Sequence, residues 1–229
     1  MRIAALIAAS VLVAGCSQSV GGDAERTSPS LTAPPSTTRA APTTTPPTST
    51  TPAKAPGPGA PMSDVIAWVQ AGTPTDPAQY HSATRDGAAT ELGEDVAFVT
   101  PSGKTSCMTD TKYSGGALAC LVELKNPPPR PDDAYGEWKG GWIDYDGLSV
   151  RVGSVHGDPG RFTAGSGPEL PYGHSLTFGD FRCRSDQAGL VCVNYAHQSG
   201  ARFSDAGVQP FGCLQPATAP PQIGEMFSC

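Results

Sequence analysis

The chain has 229 residues, with 15 Lys and Arg against 21 Asp and Glu, a net charge of −6. That balance excludes the basic face a nucleic-acid binder needs and the polybasic patch of a domain lying on anionic lipid. From Pro61 onward 19 acidic residues stand against 11 basic ones, so the part able to form a core favours solubility and neutral or basic partners, and nucleic acid is not among those expected.

The first element is an apolar run of Ile, Ala, Leu and Val that follows Arg2 and ends in Leu12-Val13-Ala14-Gly15-Cys16. One positive charge, a stretch too short for a bilayer-spanning helix and a small-residue ending predict a secretory signal peptide over residues 1–15. Its small-small-Cys ending resembles the bacterial lipobox. That resemblance implies cleavage before Cys16, a diacylglyceryl and palmitate anchor on its thiol, and attachment to the outer face of the cell membrane, the bilayer being the partner of acylated Cys16. Residues 16–61 are dominated by Pro, Thr, Ser and Ala, as in Thr43-Thr44-Thr45-Pro46-Pro47. Such a segment has too little to bury to offset its ordering entropy, so a disordered linker is expected, biased to polyproline II. At about 3.1 Å per residue it would reach on the order of 100 Å into the cell-wall space.

The remaining 62–229 is the size of one domain. Ser63, Asp64, Val65 and Val69 followed by Gly72 predict a short helix capped by Ser63, with Trp68 packed on the domain. A second helical turn is expected over Ala88 to Leu92. From Asp95 the sequence changes to short β-prone runs, among them 96–100, 117–124, 141–145, 148–153, 175–178, 181–184 and 190–195, divided by Gly, Pro, Asp and Ser. The pattern predicts a mainly β domain, a small disulfide-tied sandwich or barrel with a short N-terminal helix.

With Cys16 assigned to lipid, six cysteines remain in an oxidising compartment, and three disulfides are expected. Cys107-Met108-Thr109-Asp110 with Gly116-Ala117-Leu118-Ala119-Cys120 matches Cys183-Arg184-Ser185-Asp186 with Gly189-Leu190-Val191-Cys192. If 186–189 is a hairpin loop, Ser185 faces Leu190, Arg184 faces Val191 and Cys183 faces Cys192, the register of a cross-strand disulfide. A six-residue loop over 111–116 does the same for Cys107 and Cys120. Two disulfide-tied hairpins of a duplicated unit are thus predicted, and Cys213 with Cys229 follows by elimination.

The Ser102-Gly103 turn leading to Cys107, the segment Leu170-Pro171-Tyr172-Gly173, and Gly179-Asp180 running to Cys183 and Gly189-Leu190-Val191-Cys192-Val193-Asn194 resemble a family of secreted lipoproteins of mycobacteria and related actinobacteria with paired-cysteine β hairpins. The resemblance spans about 98–194. It implies a cell-envelope location and a β-rich domain, and it brings no catalytic or binding residue with it.

Motifs for chemistry are sparse. Gly165-Ser166-Gly167 lacks the spacing of a nucleophile elbow, and adjacent His174 and Ser175 would point to opposite faces of a strand. Asp144 and Asp146 would share a strand face, as paired carboxylates of a glycosidase do, but Asp146-Gly147 also reads as a hairpin turn. His81, His156, Asp158, His174 and His197 have no metal-ligand spacing, and no cofactor or metal is expected. Among Tyr135, Trp138, Trp142 and Tyr145, alternation puts Ile143 and Tyr145 in the core and leaves Trp142 and Asp144 on the wetter face, the candidate binding surface. A displayed, non-enzymatic binding module for an envelope protein, glycan or small ligand is therefore expected. An envelope hydrolase acting on ester, peptide or glycan substrates is the alternative.

Overall fold

The computed structural model describes residues 54–156 and 160–229. The signal peptide, Cys16, the linker to residue 53 and Asp158 lie outside the described residues. Helix α1 (Met62–Gln70) starts on Pro61 with no side-chain cap. It begins two residues earlier than a Ser63 cap implies, so Ser63 sits inside the first turn, its hydroxyl 3.4 Å from Asp64. Strand β1 (Thr73–Pro74) and a 3-10 turn, Pro77–Tyr80, lead into the hairpin of β2 (Ser82–Arg85) and β3 (Ala88–Glu91). The helical turn expected over Ala88 to Leu92 is therefore a strand. Asp86 and Gly87 both take positive φ, 51° and 81°, the two-residue turn whose twist matches paired strands, and it sets Ala88 opposite Arg85.

The mainly β sandwich follows as two consecutive five-strand meanders. The first comprises β4 (Ala97–Val99), β5 (Thr105–Met108), β6 (Leu118–Val122), β7 (Trp138–Tyr145) and β8 (Ser149–Val155), with the short helix α2 (Thr111–Ser114) between β5 and β6. The second, after a 3-10 turn Gly160–Ala164, comprises β9 (His174–Phe178), β10 (Phe181–Asp186), β11 (Gly189–Asn194), β12 (Ser199–Ser204) and β13 (Gly207–Gly212). β14 (Gln215–Ala217) and β15 (Ile223–Ser228) extend the first meander into a seven-stranded sheet, and β1 extends the second into a six-stranded one.

Corresponding rows of inward side chains cross the two sheets. Phe98, Cys107, Cys120, Ile143 and Val152 pair in turn across the first meander. Leu176, Cys183, Cys192 and Ala201 do so across the second. All nine belong to one buried cluster between the sheets, where each large apolar side chain contributes about 1.5–3 kcal/mol. Period-two alternation places Ile143 and Tyr145 there, as the sequence implies. The disulfides Cys107–Cys120 and Cys183–Cys192 join directly opposite residues with Cα atoms 4.1 and 4.0 Å apart. In the second hairpin Ser185 faces Leu190 and Arg184 faces Val191. Cys213–Cys229 ties the end of the chain to the segment after β13.

Both outer faces carry a cover. Val65, Trp68 and Val69 of α1 pack on Val191, Val193 and Phe211 of the six-stranded sheet. Arg184 donates to the Trp68 carbonyl at 2.6 Å and lies 4.0 Å over its indole, a cation placed in the last helical turn where the macrodipole favours it. Residues 54–61, counted with the linker by composition, belong to this layer: Ala55 is buried in it, and the Pro56 carbonyl accepts from Arg202 at 3.3 Å. On the seven-stranded sheet, Ala83 of β2 with Phe162 and Ala164 of the second 3-10 turn cover Ala97, Met108, Ala119 and Trp142.

Candidate binding site around Trp142

Ser106, Leu121 and Trp142 are cross-strand neighbours on the outer face of the seven-stranded sheet. Trp142 is only 1% exposed, which corrects the expectation of a wet indole. The alternation along β7 is as expected, but the outward face is roofed. Phe162 meets the indole edge-on at 5.3 Å, and His156 stacks on it at 3.5 Å between ring centroids. Both roofing residues come from segments beyond β7, so no local pattern could announce them. Asp144 remains on the same face, its side chain 22% exposed.

A groove of about 370 Å³ borders Trp142 on one side. Its lining includes Ser106, Leu121, Trp138, Gly140 and Gly141 together with the charged Lys104, Glu123 and Lys139. The groove exists because β7 carries a bulge: Lys139 pairs with Ser154 but Ile143 with Val152, so three residues of β7 stand opposite one of β8. Glycine is required at its centre, since a Cβ on Gly141 would lie 2.1 Å from the Val122 carbonyl oxygen. Trp138, half-buried, lies over Gly153. Two buried polar atoms here, Trp142 Nε1 and Ser106 Oγ, have no hydrogen-bond partner among the described residues. Leaving such a group unmet costs about 1–3 kcal/mol. The nearby cations are already engaged, Lys104 with Asp205 at 3.2 Å and Lys139 with Glu137 at 3.3 Å.

A second depression, about 310 Å³, is charged and lined by Tyr113, Ser114, Asp144, Asp146, Arg151 and Arg161. Arg161 and His156 lie 3.7 and 3.8 Å from the Asp144 carboxylate, beyond hydrogen-bond reach, and Arg151 lies 3.6 Å from Asp146. Burial lowers the His156 pKa from its ordinary 6.5, and the Arg161 charge adds to this against the opposing pull of Asp144. Of the two hydroxyls in this depression, that of Ser114 donates to the Asp110 carbonyl at 2.8 Å and accepts from Arg161 at 3.4 Å, and that of Tyr113 sits on an exposed ring. Two carboxylates thus balance two guanidiniums, and among the described residues no hydroxyl or thiol is hydrogen-bonded to the imidazole Nε2.

The other residues singled out in the sequence serve the fold. Asp146 accepts from the Leu148 and Ser149 amides at 2.9 and 2.7 Å, the turn role. Its carboxylate still faces the charged depression. His81 Nδ1 contacts the Asp95 carbonyl at 2.8 Å. Ser166 exchanges backbone hydrogen bonds with Thr84. Ser175 is buried and accepts from Arg182 at 2.9 Å, away from any imidazole partner, while His174 and His197 lie apart at the start of β9 and after β11. Tyr135 is 80% exposed, and Trp68 is packed under α1. Among the described residues, no group of three His, Cys, Asp or Glu comes together as a metal site would require.

No family model, curated protein or solved structure matches the chain. The groove's residues were hidden from sequence reasoning by distance. Ser106, Leu121 and Trp142 span three strands, and only their pairing register makes them neighbours. The signal that could have been read was Gly140-Gly141 inside a strand, a mark of a bulge or close backbone approach.

Proposed function

We propose that this chain is a lipid-anchored protein of the cell envelope, akin to the actinobacterial lipoproteins it resembles, that displays a non-enzymatic binding domain. In this reading Cys16 holds it on the outer face of the cell membrane, and the linker carries the domain toward an envelope protein, glycan or small ligand. The observation that supports it is the groove beside Trp142. It is open and part aromatic, and a buried polar atom on each of two lining residues, Trp142 and Ser106, has no partner among the described residues. Convergent polar groups in an otherwise apolar depression are what a recognition site requires.

One observation favours the hydrolase alternative: of the candidate acid–base residues, Asp144 and His156 do come together. Against it stands the absence of a hydroxyl or thiol aimed at that imidazole among the described residues. The two readings separate in one experiment. The purified chain is used as bait in envelope extract and is assayed in parallel on ester, peptide and glycan substrates. Capture of a partner without turnover supports binding; turnover abolished by Asp144→Asn or His156→Gln overturns it.

A further inference from the structure

We infer that the groove beside Trp142 takes a neutral saccharide, a ligand class that rests on the binding-module reading and makes it specific. The argument starts from the two unspent polar atoms. Cζ3 and Cη2 of Trp142 lie toward Gly160, which turns the pyrrole end of the indole away from the roof and toward the groove it lines. Nε1–H can only donate, whereas the Ser106 hydroxyl can donate or accept. Both atoms are buried, so ligand hydroxyls meet them as the lining side chains yield on binding, and a hydroxyl suits either because it carries a donor and two acceptor lone pairs. A purely apolar ligand would leave both unmet.

Charge narrows the class further. An anionic ligand would need a cation not already committed, yet Lys104 and Lys139 are paired with Asp205 and Glu137, and Glu123 adds a negative charge to the lining. A cationic ligand would call for net negative charge, and the lining sets its one carboxylate, Glu123, against two lysines, Lys104 and Lys139, the rest being indole, hydroxyl, aliphatic side chains and the glycine bulge. What fits is an uncharged molecule with hydroxyls on its edges and an apolar C–H face. The indole of Trp138 at the wall, together with Leu121, offers the flat apolar surface such a ring face covers. The Gly140-Gly141 bulge keeps the groove free of side chains and lets the ligand approach the backbone.

The test uses the full chain, labelled with nitrogen-15 and held in a detergent without sugar headgroups. It is titrated with maltotetraose, mannotetraose, galactotetraose and chitotetraose, and with tetragalacturonate as the anionic counterpart. The chain has three tryptophans, so three indole N–H signals report the outcome, assigned by losing one at a time in Trp68→Phe and Trp138→Phe. The expected result is a saturable shift of the Trp142 and Trp138 signals with a neutral tetrasaccharide while that of Trp68 stays still. Trp138→Ala should weaken binding about tenfold and Ser106→Ala about fivefold, with the signals not deleted staying dispersed as evidence of folding. The inference is overturned if no neutral saccharide moves the Trp142 signal by about 10 mM, if only Trp68 responds, or if tetragalacturonate binds as tightly. Should all saccharides fail while envelope extract still yields a partner, the saccharide inference alone falls. If nothing is captured either, the binding-module reading falls with it.

Discussion

The three disulfides differ in what surrounds them, and removing them one at a time separates two sources of stability. Closing a loop constrains the unfolded chain, and the sequence separations of 9, 13 and 16 residues give about 2.7, 3.0 and 3.1 kcal/mol for Cys183–Cys192, Cys107–Cys120 and Cys213–Cys229 on the chain-entropy estimate. By entropy alone the C-terminal bridge matters most. Packing reverses that order. Cys183 and Cys192 are fully buried between the sheets, whereas Cys213 and Cys229 are exposed. Each sulfur removed from the core by Cys→Ala forfeits about 1 kcal/mol of burial and leaves a void. The double variant Cys183→Ala/Cys192→Ala should therefore lose about 4–5 kcal/mol, and Cys213→Ala/Cys229→Ala about 3. Urea unfolding without reductant measures both from the shift in midpoint at constant slope. If the C-terminal variant loses as much as the hairpin variant, or more, the buried sulfurs do not contribute as packed core atoms and the reasoning fails.

Cys16→Ser should move the protein from the detergent phase to the aqueous phase on phase separation, and unchanged partitioning would refute acylation at that thiol. Gly141→Ala should destabilise by at least about 2 kcal/mol, because the new Cβ meets the Val122 carbonyl oxygen; an unfolding midpoint equal to that of the parent would show that the bulge relaxes freely. Because burial lowers the His156 pKa below 6.5, the unfolded chain takes up a proton that the folded chain refuses, so stability should fall as the pH drops through about 6.5 toward 5. His156→Phe keeps a ring against Trp142 and should lose less melting temperature than the parent between about pH 7.5 and 5; equal losses would remove His156 from the account.

Much of the second meander could be read directly, because a hairpin loop between two cysteines turns counting into register, and register fixes which side chains face inward. Asp146-Gly147 was legible for the same reason. Asp86-Gly87 carries an identical signal and predicts the β2–β3 hairpin, but Ala88-Ala89 after it imitates a helix start, and composition masked the turn. The packing of residues 54–61 on the domain was not legible because Ala and Pro look the same in a spacer as in a strip of chain lying on a helix; only the partners, Trp68 and Arg202, distinguish them. The burial of Trp142 was beyond reach. Period-two alternation separates inward from outward faces, but whether an outward face is wet depends on what else the chain lays over it. Phe162 lies twenty positions further along.

The two meanders explain why the groove lies on one sheet and not on the other. Counting from the paired cysteines, Ser106, Leu121 and Trp142 of the first meander hold the positions of Arg182, Val193 and Gly200 in the second. In the second meander that row is filled: Val193 packs under α1, Met62 lies against Gly200, and Arg182 donates to the Ser175 hydroxyl. Its polar atoms are met and its apolar surface is covered by a segment of the same chain. In the first meander the 3-10 turn roofs only the His156 side of Trp142, and the bulge of β7 holds the Ser106 side open. One row in a repeated framework has thus taken a helix as its cover, while its counterpart keeps an indole N–H and a hydroxyl without partners among the described residues. Unmet buried polar atoms also occur away from the groove, Ser154 Oγ and Ser185 Oγ among them, so what sets this pair apart is that both residues line an open groove. That placement is the physical reason to look for a ligand at that row, and the donor and acceptor chemistry of the two atoms is the reason to look for one bearing hydroxyls.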